Sequence, residues 1–386
     1  MSTDAPEQLS WEQVIGRRLA RHHLLAPAPD RALVEVASAV CGVHAQMAPS
    51  AELMLGLRVA EISRQDVRAA LWERRTLVKT VGLRGTLHLL PTSEIPLWMA
   101  ANTLRFRAEE RRRRQAGIDM GRFFEVVEAI SDMVGPEPIS RPDLERELER
   151  RVGAWAVAKN AGWVGSYANW PMAVGWAAAL GRVCYGPGHG GRSTFVRLSD
   201  WSGWRDEDPF QAGMWVVRRF LRAYGPSTAA EFARWFALEP QITRKLFGAL
   251  EGELATVEVE GERRQILAED MDGFEGAPAS VHLLPHFDVY VVGSHPRRQL
   301  IPPRTTIGNV APGTAAGLPV VLVGGRVRGT WRREPRGKRL RVAVDVHAGL
   351  DRRQRETIAE QAERVGEVLE LKSELEFTSL PLRFHL

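Results

Sequence analysis

At 386 residues, 44% hydrophobic and 26% charged, the chain is long enough for two or three domains with sizeable buried cores. No apolar run approaches the roughly 18 residues of a membrane span, and the polar stretch Met1–Ser10, with Asp4 and Glu7, does not read as a secretory signal. The formal charge of +5 is almost all arginine, lysine appearing only at Lys79, Lys159, Lys245, Lys338 and Lys372, and two readings fit it: a GC-rich genome, or guanidinium binding to phosphate.

In chain order, an amphipathic helix is expected from Trp11 to His22. A second is expected from Asp30 to Val43, with Leu33, Val34, Val36, Ala37, Val40 and Cys41 on its inner stripe. A third is capped by Ser63 with Asp66 in its first turn. The β-branched run Thr76–Val81, a turn over Gly82–Gly85 and Thr86–Leu90 follow as a hairpin, and Pro91 closes a first helix–hairpin unit, the outline of a winged helix. Gly121–Val134, a helix capped by Ser140, and Asn169–Leu180 precede Arg182–Tyr185 and Thr194–Leu198, which bracket the glycine-rich segment Gly186–Arg192. The third unit runs through Phe210–Tyr224, ended by Gly225-Pro226, a helix capped by Ser227, Glu239–Leu250, and a hairpin turning at Glu260-Gly261-Glu262. Beyond Pro278 come buried strands over Ser280–Val292 and Pro319–Trp331, a strand Leu340–Val346, and a charged helix Arg352–Leu371. The predicted fold class is α+β, mainly α with β-hairpins: three tandem winged-helix units (1–118, 119–206, 207–277) and a mixed α/β segment (278–386).

Cys41 and Cys184 lie far apart in apolar surroundings and read as buried thiols, which fits a cytoplasmic protein. Gly186 to Gly191 spells GxGxxG, but a strand follows it where a dinucleotide site needs a helix N-terminus, so it reads as a wing with Arg192 at its tip, in reach of a DNA backbone. Arg105–Arg114 carries six arginines; either it is a solvated helix or Arg111 and Arg112 touch phosphate. No spacing fits a metal site, and no cofactor is expected. His22-His23 reads as a surface or interface pair. Trp155, Trp163, Trp170, Trp176, Trp201 and Trp204 read as packing residues.

The most informative segment is Val43-His44-Ala45-Gln46-Met47-Ala48-Pro49, at the end of the second helix. Pro49 disfavours helix at Ala48, and in extended chain His44 and Gln46 point the same way. An imidazole and a carboxamide so placed can hold a water, the first as proton acceptor and the second as orienting group; capping of a helix end is the other reading.

The order of these units, together with Leu77–Leu90 (LVKTVGLRGTLHLL), Leu284–Gly293 (LPHFDVYVVG) and Val323–Arg332 (VGGRVRGTWR), resembles the AlkZ-like family of winged-helix DNA glycosylases, which remove alkylated purines and protect against DNA-alkylating natural products. The resemblance covers nearly the whole chain. It implies a monofunctional glycosylase that needs no cofactor and acts as a monomer on duplex DNA carrying N7- or N3-alkylated purines. It also places the catalytic motif, Gln-x-Gln or Gln-x-Asp, at His44-Ala45-Gln46. Gln46 matches; His44 departs from the pattern yet is able to accept a proton at neutral pH. Arg84, Thr86 and His88 on the hairpin are expected to line the cleft or meet phosphate. Asp288 and Tyr290 match the family pattern and are expected either at the DNA or in structural hydrogen bonds. The competing functions are a winged-helix transcription regulator and a lesion-binding protein without catalysis.

Overall fold

The computed structural model describes residues 6–161, 166–168, 170–189, 192–301, 317–346 and 349–380. Trp163, Asn169, Gly190 and Gly191, named above, lie outside them, as does Asp4.

The elements, in chain order, are β1 (Glu7–Leu9), α1 (Trp11–Arg21), α2 (Leu33–Ala39), β2 (Val43–His44), α3 (Ala48–Gly56), α4 (Arg64–Trp72), β3 (Leu77–Val81), β4 (Leu87–Pro91), α5 (Ile95–Thr103), α6 (Phe106–Gln115) and α7 (Met120–Met133). There follow β5 (Ile139–Ser140), α8 (Arg141–Val152), α9 (Ala154–Val157), β6 (Lys159–Ala161), β7 (Ser166–Ala168), α10 (Trp170–Ala179), β8 (Val183–His189) and β9 (Arg192–Arg197). Then come α11 (Pro209–Tyr224), α12 (Ala229–Phe236), α13 (Pro240–Ala249), β10 (Leu254–Val259), β11 (Glu262–Leu267), β12 (Val281–Leu284), α14 (Val289–Gly293) and α15 (Arg297–Leu300). Last are β13 (Val320–Val323), β14 (Arg326–Arg336), β15 (Arg339–Val346), α16 (Arg352–Leu369) and β16 (Lys372–Phe377). The fold is the expected α+β mixture.

Caps place the helices. Ser10 and Gln13 form a reciprocal capping box at α1, and Asp351 and Gln354 do the same at α16. Ser63 accepts from the amide of Gln65 while Asp66 takes the Ser63 amide, as the sequence predicts for α4. At α12 the cap moves by one residue: the Thr228 hydroxyl accepts from the Glu231 amide and the Glu231 carboxylate from the Thr228 amide. Ser227, expected as the cap, instead donates its hydroxyl to Glu231.

Contacts divide the chain into two compact units. The first comprises residues 1–68, 217–232 and 247–386, the second residues 69–216 and 233–246. In the first, β1 runs parallel to β10, which pairs with β11, and a five-stranded sheet runs in the order β12–β13–β14–β15–β16. The turn of β10–β11 takes only Glu260 and Gly261, both at positive φ, since Val259 pairs directly with Glu262. Against the five-stranded sheet, α16 and α3 bury Ile358, Val365 and Leu53 with Leu283, Val321, Trp331 and Val342. In the second unit the strands run β4–β3–β8–β9–β5, and Phe123, Val127 and Ile130 of α7 pack with Trp170, Val174 and Trp176 of α10.

Several elements depart from expectation. Ser280–Val292 is half strand: after β12 the carboxylate of Asp288 accepts from the Tyr290 amide and starts the short helix α14 in a β-branched run. The second helix ends at Ala39, four residues earlier than predicted, and Pro49 opens α3 where it was expected only to close a helix. His22 is fully buried, where a surface or interface role was expected for it, and Trp204 packs over Gly181 while remaining 39% exposed. Cys41 and Cys184 are free and buried, and burial pushes the Cys184 thiol up to about 12. No helix among the described residues is long and apolar enough to cross a membrane.

A Cβ at Gly16 of α1 would overlap the backbone of Gly276 and Ala277. Gly16→Ala is expected to destabilise the protein by about 1–3 kcal/mol through overpacking, read as a lowered urea midpoint, with Gly248→Ala, which meets open space, as the control.

Candidate active site

The His44–Gln46 motif is delivered by the way α2 stops. Cys41 and Gly42 both take positive φ (63° and 87°), the Gly42 amide returns to the Ala37 carbonyl at 2.8 Å, and the Cys41 amide to Ser38 at 3.0 Å. This paired closure satisfies the last helical carbonyls and throws the chain sideways into β2. Val43, His44 and Ala45 are buried there, while Gln46 at the following bend is exposed. The motif thus has an enclosed imidazole, 6% exposed, and a solvent-facing carboxamide one residue beyond Ala45.

Three things hold this link from behind, all within the first unit. The ring of Phe287 stacks on His44, centroids 4.9 Å apart and 21° from parallel. The Tyr224 hydroxyl donates to the Val289 carbonyl at 3.1 Å and lies 3.4 Å from the Val40 carbonyl. Arg58, just past the end of α3, forks onto Asp288 at 2.9 and 2.7 Å, with both side chains fully buried, and also donates to the Met54 carbonyl at 3.1 Å.

Asp288 and Tyr290 are therefore enclosed. The first is taken by Arg58 and the Tyr290 amide; the second donates its hydroxyl to the Gly325 carbonyl at 3.0 Å and is unexposed. Neither side chain has surface to offer DNA, and of their two readings structural hydrogen bonding describes them. Nothing short of the fold reveals their partners, since Arg58 lies 230 positions from Asp288.

The remaining expected residues lie in the second unit. Arg84, at φ 55° in the β3–β4 turn, is half-buried and donates to the Trp235 carbonyl at 3.0 Å. Thr86 donates to Leu83, and His88 is buried with its Nδ1 3.0 Å from the Thr86 carbonyl. Arg111 is exposed and meets Glu239, and Arg112 is exposed. Of the same helix, Arg105 is buried on Glu109, and Arg113 lies over the rings of Phe123 and Trp176. Arg192 opens β9.

The first unit also buries two histidines, His22 and His282. Burial above all, then the charges of Arg58 and Arg18, holds His22 well below the usual histidine range; it sits edge-on to Tyr224 and Tyr290. Burial, then Arg58, lowers His282 to about 4.

The family model described as DNA glycosylase AlkZ-like matches residues 37–368. The chain is 31% identical over 339 residues to the interstrand DNA cross-link repair glycosylase of Streptomyces sahachiroi, covering 83% of this chain and 87% of that protein. It is also similar to the solved structure of the Streptomyces sahachiroi DNA glycosylase AlkZ, with a TM-score of 0.75 and 26% identity over 96% of this chain and 100% of that one.

Asp288→Ala strands the Arg58 charge in the core and is expected to cost about 3–5 kcal/mol in urea unfolding, of which the pair Arg58→Met, Asp288→Leu recovers a large part. Stability is also expected to fall in acid. The folded-state value of His282 lies below the 6.5 of the unfolded chain, so the unfolded state takes up its proton first. The stabilisation is whole above pH 6.5 and is lost as pH falls toward about 4. His282→Phe should flatten that slope by about 3 kcal/mol over the interval.

Proposed function

The chain belongs to the AlkZ-like DNA glycosylase family and is a DNA glycosylase; from that premise we propose that it hydrolyses the N-glycosidic bond of N7- or N3-alkylated purines in duplex DNA, leaving an abasic site. The observation that carries the reading is the motif itself, an enclosed His44 and an exposed Gln46 on the short link between α2 and α3. Alkylation at N7 or N3 makes the purine cationic and a good leaving group, so its departure with the glycosidic electron pair needs no acid. The sugar passes through an oxocarbenium-like state, and a water must be aimed at C1′. In this reading Gln46 holds that water, and His44 accepts its proton as the new C–O bond forms.

The name of the Streptomyces sahachiroi relative, an interstrand DNA cross-link repair glycosylase, supports extending the substrate class to cross-linking adducts in duplex DNA; in this reading bulky adducts are also taken and the protein acts as a monomer. The exposed Arg111 and Arg112 of α6 are our candidates for phosphate contacts, with Arg84, Thr86 and Arg192 near the hairpins of the same unit. The helix–helix–helix–hairpin segments 1–118, 119–206 and 207–277 are read as winged helices, with 278–386 as an α/β segment added to them.

Duplex DNA carrying 7-methylguanine, and a panel of bulky purine adducts, should yield alkali-labile sites with the wild-type protein. Activity is expected to fall by about a hundredfold or more in His44→Ala and in Gln46→Ala, with DNA affinity kept. Intact DNA throughout the panel sinks the substrate assignment; full activity in both variants sinks the motif. For the phosphate contacts, Arg112→Ala should lower by about one the slope of log affinity against log salt, equally on all sequences.

A further inference from the structure

His44 and Phe287 are 243 positions apart in sequence and in ring-to-ring contact in space. Phe287 takes φ 58°, a backbone region that bulky non-glycine residues avoid, and it does so immediately before Asp288. Asp288 has no freedom to give: its carboxylate is divided between the Arg58 fork and the Tyr290 amide. Arg58 in turn terminates α3, whose first residue, Ala48, lies four positions after His44. The Trp331 indole donates to the Leu284 carbonyl at 2.8 Å and pins the same loop from its other end.

These links close a ring: His44, the short link to α3, α3 itself, Arg58, Asp288, Phe287, and back to His44 through the stack. A closed ring of rigid members fixes the tilt of its last member. We propose that Phe287 is a positioning residue for the reaction, a plate set by the Arg58–Asp288 pair that holds the His44 imidazole in the plane from which it takes the water proton. The inference rests on His44 being the proton acceptor. It assigns the strained conformation at Phe287 a use: a relaxed φ would carry the ring away from the imidazole, and the buried ion pair is what keeps it there.

The test is a double-mutant cycle on single-turnover release of 7-methylguanine from duplex DNA, with His44→Ala, Phe287→Leu and the two combined. Phe287→Leu is expected to slow release about ten- to a hundredfold while duplex affinity stays within about twofold. In the His44→Ala background it should cost nothing further. Phe287→Tyr should retain the wild-type rate, and Phe287→Met serves where leucine impairs folding. Losses that multiply in the combined variant, or an unchanged rate in Phe287→Leu beside an inactive His44→Ala, overturn the positioning role and leave the proton acceptor standing. A fully active His44→Ala overturns both. An NMR titration of the His44 ring provides a readout independent of turnover, and it decides alone if the wild-type protein leaves 7-methylguanine in place. The stacked ring should shield the imidazole proton in the wild type and lose that shift in Phe287→Leu; identical resonances and titration curves overturn the proposal.

Discussion

The fork between Arg58 and Asp288 is the constraint on which the candidate active site of this protein depends. Two opposite charges are taken fully out of water, a step that costs more than the pair regains unless every donor and acceptor is matched. Here most are: Arg58 also meets the Met54 carbonyl, and Asp288 also starts α14. An apolar pair of equal volume would hold the core as well in energy. The bidentate geometry adds a directional restraint on the loop before α14 relative to the end of α3, beside the Phe287 stack and the Trp331 bond.

Part of the arginine is used inward. Arg17 is buried on Asp270, Arg18 on the His295 and Pro226 carbonyls, Arg105 on Glu109, and Arg264 on Glu231. The basic composition therefore measures internal wiring as well as any DNA-facing surface. The guanidinium suits this work, since its fork satisfies carbonyls and carboxylates together and it keeps its charge when buried; even for Arg18, where burial lowers the value to about 10, the group remains a cation at neutral pH.

Much of the fold was legible where a side chain acts on its own neighbourhood. Ser63, Ser140 and Gly225-Pro226 mark boundaries through local bonds, and the hairpins follow their alternation and turns. Elements that owe their form to distant packing were not. Helix α3 has every residue from Ser50 to Gly56 buried, so it shows no amphipathic period to read. Strands β1 and β16 are short or charged and exist because β10 and β15 offer them an edge. At the site, the strand at His44 was legible, but the bend that leaves Gln46 exposed while His44 is enclosed, the stack on His44, the enclosure of Asp288, and the burial of His22 were not; the last three have their causes two hundred residues or more away.

The interleaving of the first compact unit bears on how such an enzyme is made. His44 precedes the ring that stacks on it, the aspartate that fixes that ring, and the strand β10 that receives β1 by more than two hundred residues. The second unit, residues 69–216 and 233–246, has a core of its own. Until those later residues have been made, the His44–Gln46 link is without its backing. A product that stops before them carries His44 and Gln46 without the stacked ring and the ion pair behind it.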